Sequence, residues 1–362
     1  FGDPTSYAPI TNASIDAITP GLGYWTYLGT GFVNTANLLI DVTGPTTKGN
    51  FDFGVSFSSS GSIDDDGFNM VANPYPSTID WDSPSWIKTN VDDAIYIWQA
   101  DLGQYATYIG GVSTNGGSNL IPSSQGFFMK TNANSPVLQA NENIKVAGNP
   151  TFIKSSNSLT VGDLFRAKLE GNNFKDEAII RFAENATMNF DGKFDAVKLY
   201  STKAEVPSIA LVTTNKDLSI NTLPIDEASI SIPVRVKVGV SGNYSLSFEG
   251  LSIFDNKACV VFEDLKTGTK TAIQDLGTYQ FYMDSYTTAP RFLIHITKNP
   301  TLIVDNASCS NVKDGAIEIK NPNKISNWSY IVKDNNGSTV AGNTVSNNTV
   351  ANLSAGTYQI TY

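Results

Sequence analysis

Histidine is nearly absent from this sequence, since His295 is the only one among 362 residues. It lies in the run RFLIHIT, where alternation places it on the opposite strand face from Ile294 and Ile296. The chain also has no Gly-x-Ser-x-Gly elbow and no phosphate-cradling loop, so histidine-assisted serine, cysteine and zinc chemistry lack their usual parts. We expect His295 to be a strand residue rather than a general base, and we expect no enzyme activity.

Cysteine is also scarce. Cys259 and Cys309 are too few for a disulfide framework, and with the one histidine they supply three of the four ligands of a usual structural zinc site. Cys259 lies in the apolar run ACVVF and is predicted to be a small buried hydrophobe. The lack of disulfides does not favour the cytosol, because a chain of this size can be stabilised by its core.

Charge is low and of one predominant sign. Charged residues make up 16% of the chain, and the formal net charge is −10, so nucleic acid is not an expected partner. No run approaches the roughly 20 apolar residues of a membrane helix, so no membrane insertion is expected. Residue 1 begins neither a signal peptide nor a start methionine, and we expect the chain to be a mature or excised segment of a longer protein.

The sequence is rich in strand-like alternation. Phe51, Phe53, Val55 and Phe57 alternate with small or polar residues, and the same period returns in VRVKV and YSLSF. Turn signals such as Asn115-Gly116-Gly117 separate these runs at short intervals. The pattern predicts an all-β fold of serial antiparallel β-sandwich domains, Ig-like or jelly-roll-like, with little helix.

Two breaks divide the chain. A weak one lies near 147–158, where the aromatic-rich part ends, and a stronger one lies at 296–306, where Asn299-Pro300 interrupts strand pairing. The predicted domains are an aromatic-rich β-sandwich module over 1–150, a second β-sandwich module over 151–299 and an Ig-like repeat over 300–362. The last ends on a strand at Tyr362, so we expect it to be truncated.

One short stretch, NMVANPYPSTIDWDSPSW over 69–86, concentrates prolines and aromatic residues. Its first two prolines impose extended geometry and remove backbone donors, which ends strand pairing. Alternation then resumes and places Ile79 and Trp81 on one face, with Asp80 and Asp82 on the other. If Trp81 is buried, the stretch is structural; if it is exposed, the stretch is a ligand site.

Sugar binding is the first site hypothesis, because flat aromatic rings near hydrogen-bonding groups suit a surface glycan. The candidate residues are Tyr75, Trp81, Trp86 and Trp98. Aromatic residues in strands are more often core residues, which is the alternative interpretation. Around the last candidate, alternation places Ile95 and Ile97 on one face and Tyr96 and Trp98 on the other.

Calcium is the second site hypothesis, and no other cofactor is expected. The candidate ligands are the hard oxygen donors Asp64 and Asp66, beside a turn glycine, together with Asp80 and Asp82, which converge with them if the turn at Pro74 to Pro76 folds the strand back. The spacing fits no EF-hand loop, and the alternative is a solvated acidic turn. A glycosidase needs only two carboxyl groups, and these four aspartates with Asp65 are the candidates, but this part of the sequence shows no large groove-forming framework, which argues against that interpretation.

The end of the chain resembles the short Ig-like repeats of cell-surface adhesins in gliding Bacteroidota. The resemblance rests on Ser308-Cys309, Lys313 to Ile317 and the closing NLSAGTY at 352–358. The remainder looks like modules found in large secreted proteins of the same phylum, through GFNMVANPYPSTIDWD (67–82), DDAIYIWQADLGQYATYIGG (92–111), IPSSQGFFMKT (121–131) and several runs between 176 and 296.

The resemblance implies export by the type IX secretion pathway through a region outside this chain. It places the protein outside the cell or on the outer surface of a Gram-negative bacterium. Its first implied function is a non-catalytic adhesin or stalk segment that displays or spaces a functional region, with a glycan or another cell-surface protein as partner. The alternative is a carbohydrate-binding accessory module of a secreted polysaccharide-degrading protein.

Overall fold

The fold is all-β, as predicted from the alternation. The computed structural model describes residues 10–12, 16–26, 43–59, 66–147, 164–225, 227, 229–255, 257–273, 277–285, 287–320, 329–344 and 348–362. Within these ranges helical structure is limited to short 3-10 turns, which include Glu142–Ile144 and Leu251–Phe254. No helix in the described part of the chain is long and apolar enough to cross a membrane.

Two compact units make up the chain. Unit 1 comprises Phe1–Ile225, Ile232–Gly250 and Leu276–Phe292, and unit 2 comprises Asp226–Ser231, Leu251–Asp275 and Leu293–Tyr362. The domain boundaries near 150 and 299 remain a prediction.

The first part of unit 1 forms three small sheets. Its strands are β1 (Phe51–Asp52), β2 (Phe68–Ala72), β3 (Ile79–Asp80), β4 (Ile87–Thr89), β5 (Val91–Gln99), β6 (Gln104–Ile109), β7 (Val112–Thr114), β8 (Leu120–Ile121), β9 (Gly126–Thr131) and β10 (Val137–Ala140). The largest sheet has the order β2-β9-β5-β6-β7, and the other two are β1-β10-β4 and β3-β8. All of these pairs are antiparallel.

The remaining strands of unit 1 form a larger sheet. They are β11 (Leu164–Gly171), β12 (Phe174–Ala183), β13 (Ala196–Val197), β14 (Ser208–Val212), β15 (Asp217–Pro224), most of β16 (Ser229–Lys237), β17 (Gly242–Glu249) and β20 (Thr278–Met283). Their order is β16-β14-β15-β12-β11-β17-β20, with β13 also on β15. The pair β12 and β15 is parallel, whereas β11 pairs antiparallel with both β12 and β17.

Both faces of the sheet that contains β5 are covered. Ile95 and Ile97 belong to one hydrophobic cluster, while Tyr96 and Trp98 belong to another, which confirms the alternation expected for this strand. The second cluster also contains Ile179 and Ile220, along with other side chains of the larger sheet. Because the larger sheet covers this face, alternation along β5 separates two cores rather than a core from solvent.

Unit 2 contains the remaining strands. They are β18 (Ala258–Asp264), β19 (Thr269–Ala272), all but the first residue of β21 (Phe292–Lys298), β22 (Thr301–Asp305), β23 (Gly315–Lys320), β24 (Ser329–Lys333), β25 (Thr339–Thr344), β26 (Thr349–Leu353) and β27 (Gln359–Thr361). Strands β19, β18 and β21 are neighbours in one sheet, and the last six strands form two three-stranded sheets, β22-β23-β26 and β25-β24-β27. These two sheets enclose a core that includes Ile317, Ile319, Tyr330 and Val332.

The lone histidine and one cysteine lie on polar strand faces of unit 2. Phe292, Ile294 and Ile296 are buried and His295 is half-buried, as alternation predicted. The His295 ring bonds Ser231 Oγ at 2.8 Å and Glu263 Oε2 at 2.7 Å, across neighbouring strands. The prediction for Cys259 was wrong: it is exposed, because alternation in β18 buries Val260 and Phe262 instead.

Candidate ligand-binding cleft

The site begins with a turn held by Asn73, whose side chain is buried. Its Oδ1 accepts a hydrogen bond from the backbone N–H of Tyr75 at 2.9 Å, which forms an Asx turn around Pro74. Its Nδ2 donates to the carbonyl oxygens of Ser77 (2.8 Å) and of Ile121 (3.0 Å). The asparagine therefore supplies hydrogen-bond partners to backbone groups of the proline turn and of strand β8.

The rings expected to bind sugar are mostly buried in the core. Tyr75 and Trp81 are each only 1% exposed, and Trp86 is 8% exposed. The Tyr75 hydroxyl donates to the carbonyl of Gly49 at 2.8 Å, and the two indole N–H groups donate to backbone oxygens at 2.7 and 2.8 Å. Since Trp81 is buried, the stretch over 69–86 has the structural role that the sequence left open, and its rings present no flat face to solvent.

A cleft of about 340 Å³ nevertheless opens beside the two tryptophans. Trp81 and Trp86 pack against each other with ring centroids 5.0 Å apart and form its apolar side. The lining residues are Trp81, Asp82, Ser83, Trp86, Lys88, Asp93, Gly110 and Lys193. Three of the predicted site residues thus meet at one concave surface that also carries charges of both signs.

Lys88 and Asp93 form the charged pair nearest the rings. The Lys88 Nζ lies 3.8 Å from the Trp81 ring centroid, 3.3 Å from Asp93 Oδ1 and 3.5 Å from the Trp81 carbonyl. Burial lowers the pKa of Lys88, and the attraction of Asp93 opposes that effect. The ammonium group is held by a carboxylate, a carbonyl and a ring face.

Asp80 and Asp82 also have protein partners. Asp80 Oδ1 accepts from the backbone N–H of Asp82 at 2.9 Å and from Asn119 Nδ2 at 2.8 Å. The Tyr108 hydroxyl donates to Asp82 Oδ2 and accepts from the N–H of Gly111. Burial, followed by the hydrogen bond to this carboxylate, raises the pKa of Tyr108. Asp82 remains exposed and lines the cleft.

The loop at 191–195 supplies Lys193 to the cleft, and nothing local in the sequence predicted it. The carbonyl of Gly192 accepts a hydrogen bond from the N–H of Asp93 at 2.8 Å. A Cβ at position 192 would lie 2.0 Å from Asp92 Oδ1, so only glycine allows this approach. A glycine beside a lysine in FDGKFD indicates a turn, but it does not indicate which distant segment of the chain packs beside that turn.

Trp98 lies apart from this cleft. Its ring packs edge-on against Tyr105, with centroids 5.0 Å apart, in the other hydrophobic cluster. The four aromatic candidates therefore divide between two sides of one sheet.

The calcium candidates do not form a ligand set among the described residues. Asp64 lies outside those residues, while Asp66 Oδ2 accepts from Ser59 Oγ at 3.4 Å. Within the described ranges, no three His, Cys, Asp or Glu side chains are grouped closely enough to hold a metal ion. Calcium binding remains an untested prediction.

The fold and the site define an all-β scaffold that carries a small polar and aromatic cleft beside Trp81 and Trp86. The chain belongs to a family described as a domain of unknown function (DUF8693), whose model matches residues 6–296. No curated protein and no solved structure matches the chain.

Proposed function

We propose that this chain is a non-catalytic segment of a secreted or cell-surface protein, serving as an adhesin or stalk that displays or spaces a functional region. From the sequence resemblance, the proposal also includes export of the protein by type IX secretion and its location on the outer surface of a gliding Bacteroidota cell. The observation that carries it is the use of the Asn73 to Trp86 stretch for packing. Its rings fill the core and its polar atoms bind backbone.

The pairing of the long strands suits a mechanical role. Strands β11 and β12 pair over eight consecutive residues, from Leu164 opposite Arg181 to Gly171 opposite Phe174, and β11 also pairs with β17 on its other edge. A force that shears these strands must break many interstrand hydrogen bonds together.

Two measurements test this proposal. Single-molecule stretching of the full chain between its termini should give discrete unfolding events, and protease treatment of intact source cells should remove the protein. Smooth extension without unfolding events would contradict the mechanical role. Protection of the protein until the cells are lysed would contradict the surface location.

A glycan-binding accessory module is the second candidate, and the cleft beside Trp86 favours it. The cleft combines an apolar wall with three polar groups, Asp82, Asp93 and Lys193. Sugars require such a mixture of contacts with ring edges and with polar groups. A glycan array would identify the ligand, and titration calorimetry would then compare Asp82→Ala and Lys193→Ala with the exposed control Asp255→Ala. Binding that both cleft variants leave unchanged, or a blank array with folded protein, would contradict this candidate.

A further inference from the structure

Strand β22 is an unusual edge strand. All five of its residues, Thr301–Asp305, are exposed, and among the described residues it is a neighbour of β23 alone. Leu302, Ile303 and Val304 are 44%, 39% and 55% exposed. Edge strands usually carry lysine, an internal proline or a bulge that discourages further pairing, and this one has none within its span.

The apolar surface of the C-terminal core continues onto β22. Leu302 and Val304 lie opposite Ile319 and Ile317 in the β22–β23 register, and directly opposed residues share a sheet face. The two isoleucines are buried in the core cluster, whereas their partners on β22 are not. The core face therefore ends in an exposed apolar strip, and β23 is the only described strand that pairs with β22.

The sequence of this strand is complementary to itself. If two copies pair antiparallel about Ile303, Leu302 lies opposite Val304 of the second copy, and each Ile303 faces the other. The only charge in the strand, Asp305, falls opposite Thr301 rather than opposite another carboxylate. Pro300 lies just outside the five-residue ladder, where its missing N–H removes no central hydrogen bond.

We propose that β22 is a homotypic docking edge, through which a second copy of this chain adds its own β22 in antiparallel register about Ile303. The pairing is isologous and joins two three-stranded sheets into one of six strands. This inference does not depend on the proposed function. Because a five-residue edge buries little area, the dissociation constant should lie between about 1 and 100 µM.

Sedimentation velocity on the full chain, over about 1 to 300 µM, tests the pairing. We expect a concentration-dependent monomer to dimer transition. Ile303→Lys and Ile303→Glu should each raise the dissociation constant about tenfold or more, because like charges meet at the centre. An equimolar mixture of the two variants should regain the dimer, since opposite charges then meet.

The control is Ile331→Lys, which places the same charge at another exposed isoleucine, on β24, and should leave the dimer unchanged. Thermal melts of each variant show whether it is folded, so that weaker dimerisation is not mistaken for loss of folding. A monomer throughout the range overturns the proposal, and so does a dimer that both charged variants leave intact. If the equimolar mixture of the two charged variants does not regain the dimer, the register about Ile303 is overturned.

Discussion

The side-chain amide of Asn73 donates to the backbone carbonyl of Ile121 at 3.0 Å, across 48 positions of sequence. Through this bond and its contact with the Tyr75 N–H, one buried asparagine joins the proline turn to strand β8. The relationship explains how two prolines can interrupt pairing inside a compact unit without leaving buried backbone unsatisfied.

Replacing Asn73 with alanine should therefore be costly. Asn73→Ala removes the donors to buried carbonyls and the acceptor for the Tyr75 N–H, so we expect the free energy of unfolding to fall by about 2–4 kcal/mol. Chemical denaturation measures this change. The exposed Asn143→Ala is the control, expected to change stability by less than about 0.5 kcal/mol. Equal effects of the two substitutions would contradict the role of Asn73.

Much of the fold was predictable from the sequence because it rests on local alternation. Residues at Phe51 to Ser58 alternate in burial as expected, and the two faces of β5 carry the side chains assigned to them. Alternation separates the faces of a strand but does not identify what covers each face. The cover over Tyr96 comes from residues such as Ile220, more than a hundred positions later, which no local pattern reveals.

The candidate site was only partly predictable for the same reason. The sequence stretch at 69–86 supplies Trp81, Asp82 and Trp86, but the partners that bury Trp81 include Phe127, whose ring centroid lies 5.7 Å away. Lys193 reaches the cleft through a contact between distant segments. Whether an aromatic ring binds a ligand or fills a core depends on such long-range contacts.

Gly192 should tolerate no side chain. An alanine Cβ would lie 2.0 Å from Asp92 Oδ1, so the loop must move, and Gly192→Ala should lower the free energy of unfolding by about 1–3 kcal/mol. The matched control is Gly44→Ala, where a new Cβ meets nothing within 4 Å. Denaturation of both variants checks the prediction, and a stability for Gly192→Ala like that of the control would refute the close approach.

The ion pair of Lys198 and Asp176 is buried, with side chains 4% and 0% exposed. Asp176 also accepts from the N–H of Ile209 at 2.8 Å and from Asn115 Nδ2 at 2.9 Å. Lys198→Met leaves this carboxylate without its counter-charge and should cost roughly 3–5 kcal/mol. The double variant with Asp176→Asn should be less destabilised than the single one. A double-mutant cycle without coupling would show that the pair does not act as a unit.

Asp195 should make stability depend on pH. Burial raises its pKa to about 7, although hydrogen bonds from the N–H groups of Thr222 and Asp191 oppose the shift. Between its ordinary value of 3.8 and about 7, the folded chain binds a proton that the unfolded chain has released. The contribution of Asp195 to the free energy of unfolding is therefore full below that window and is lost as pH rises through it.

We expect a loss of roughly 2–4 kcal/mol from this residue between about pH 4 and pH 8. Denaturation across this range should show a smaller decline for Asp195→Asn than for the parent, whatever the variant's mean stability. Parallel profiles for the two proteins would mean that Asp195 keeps an ordinary pKa in the folded state.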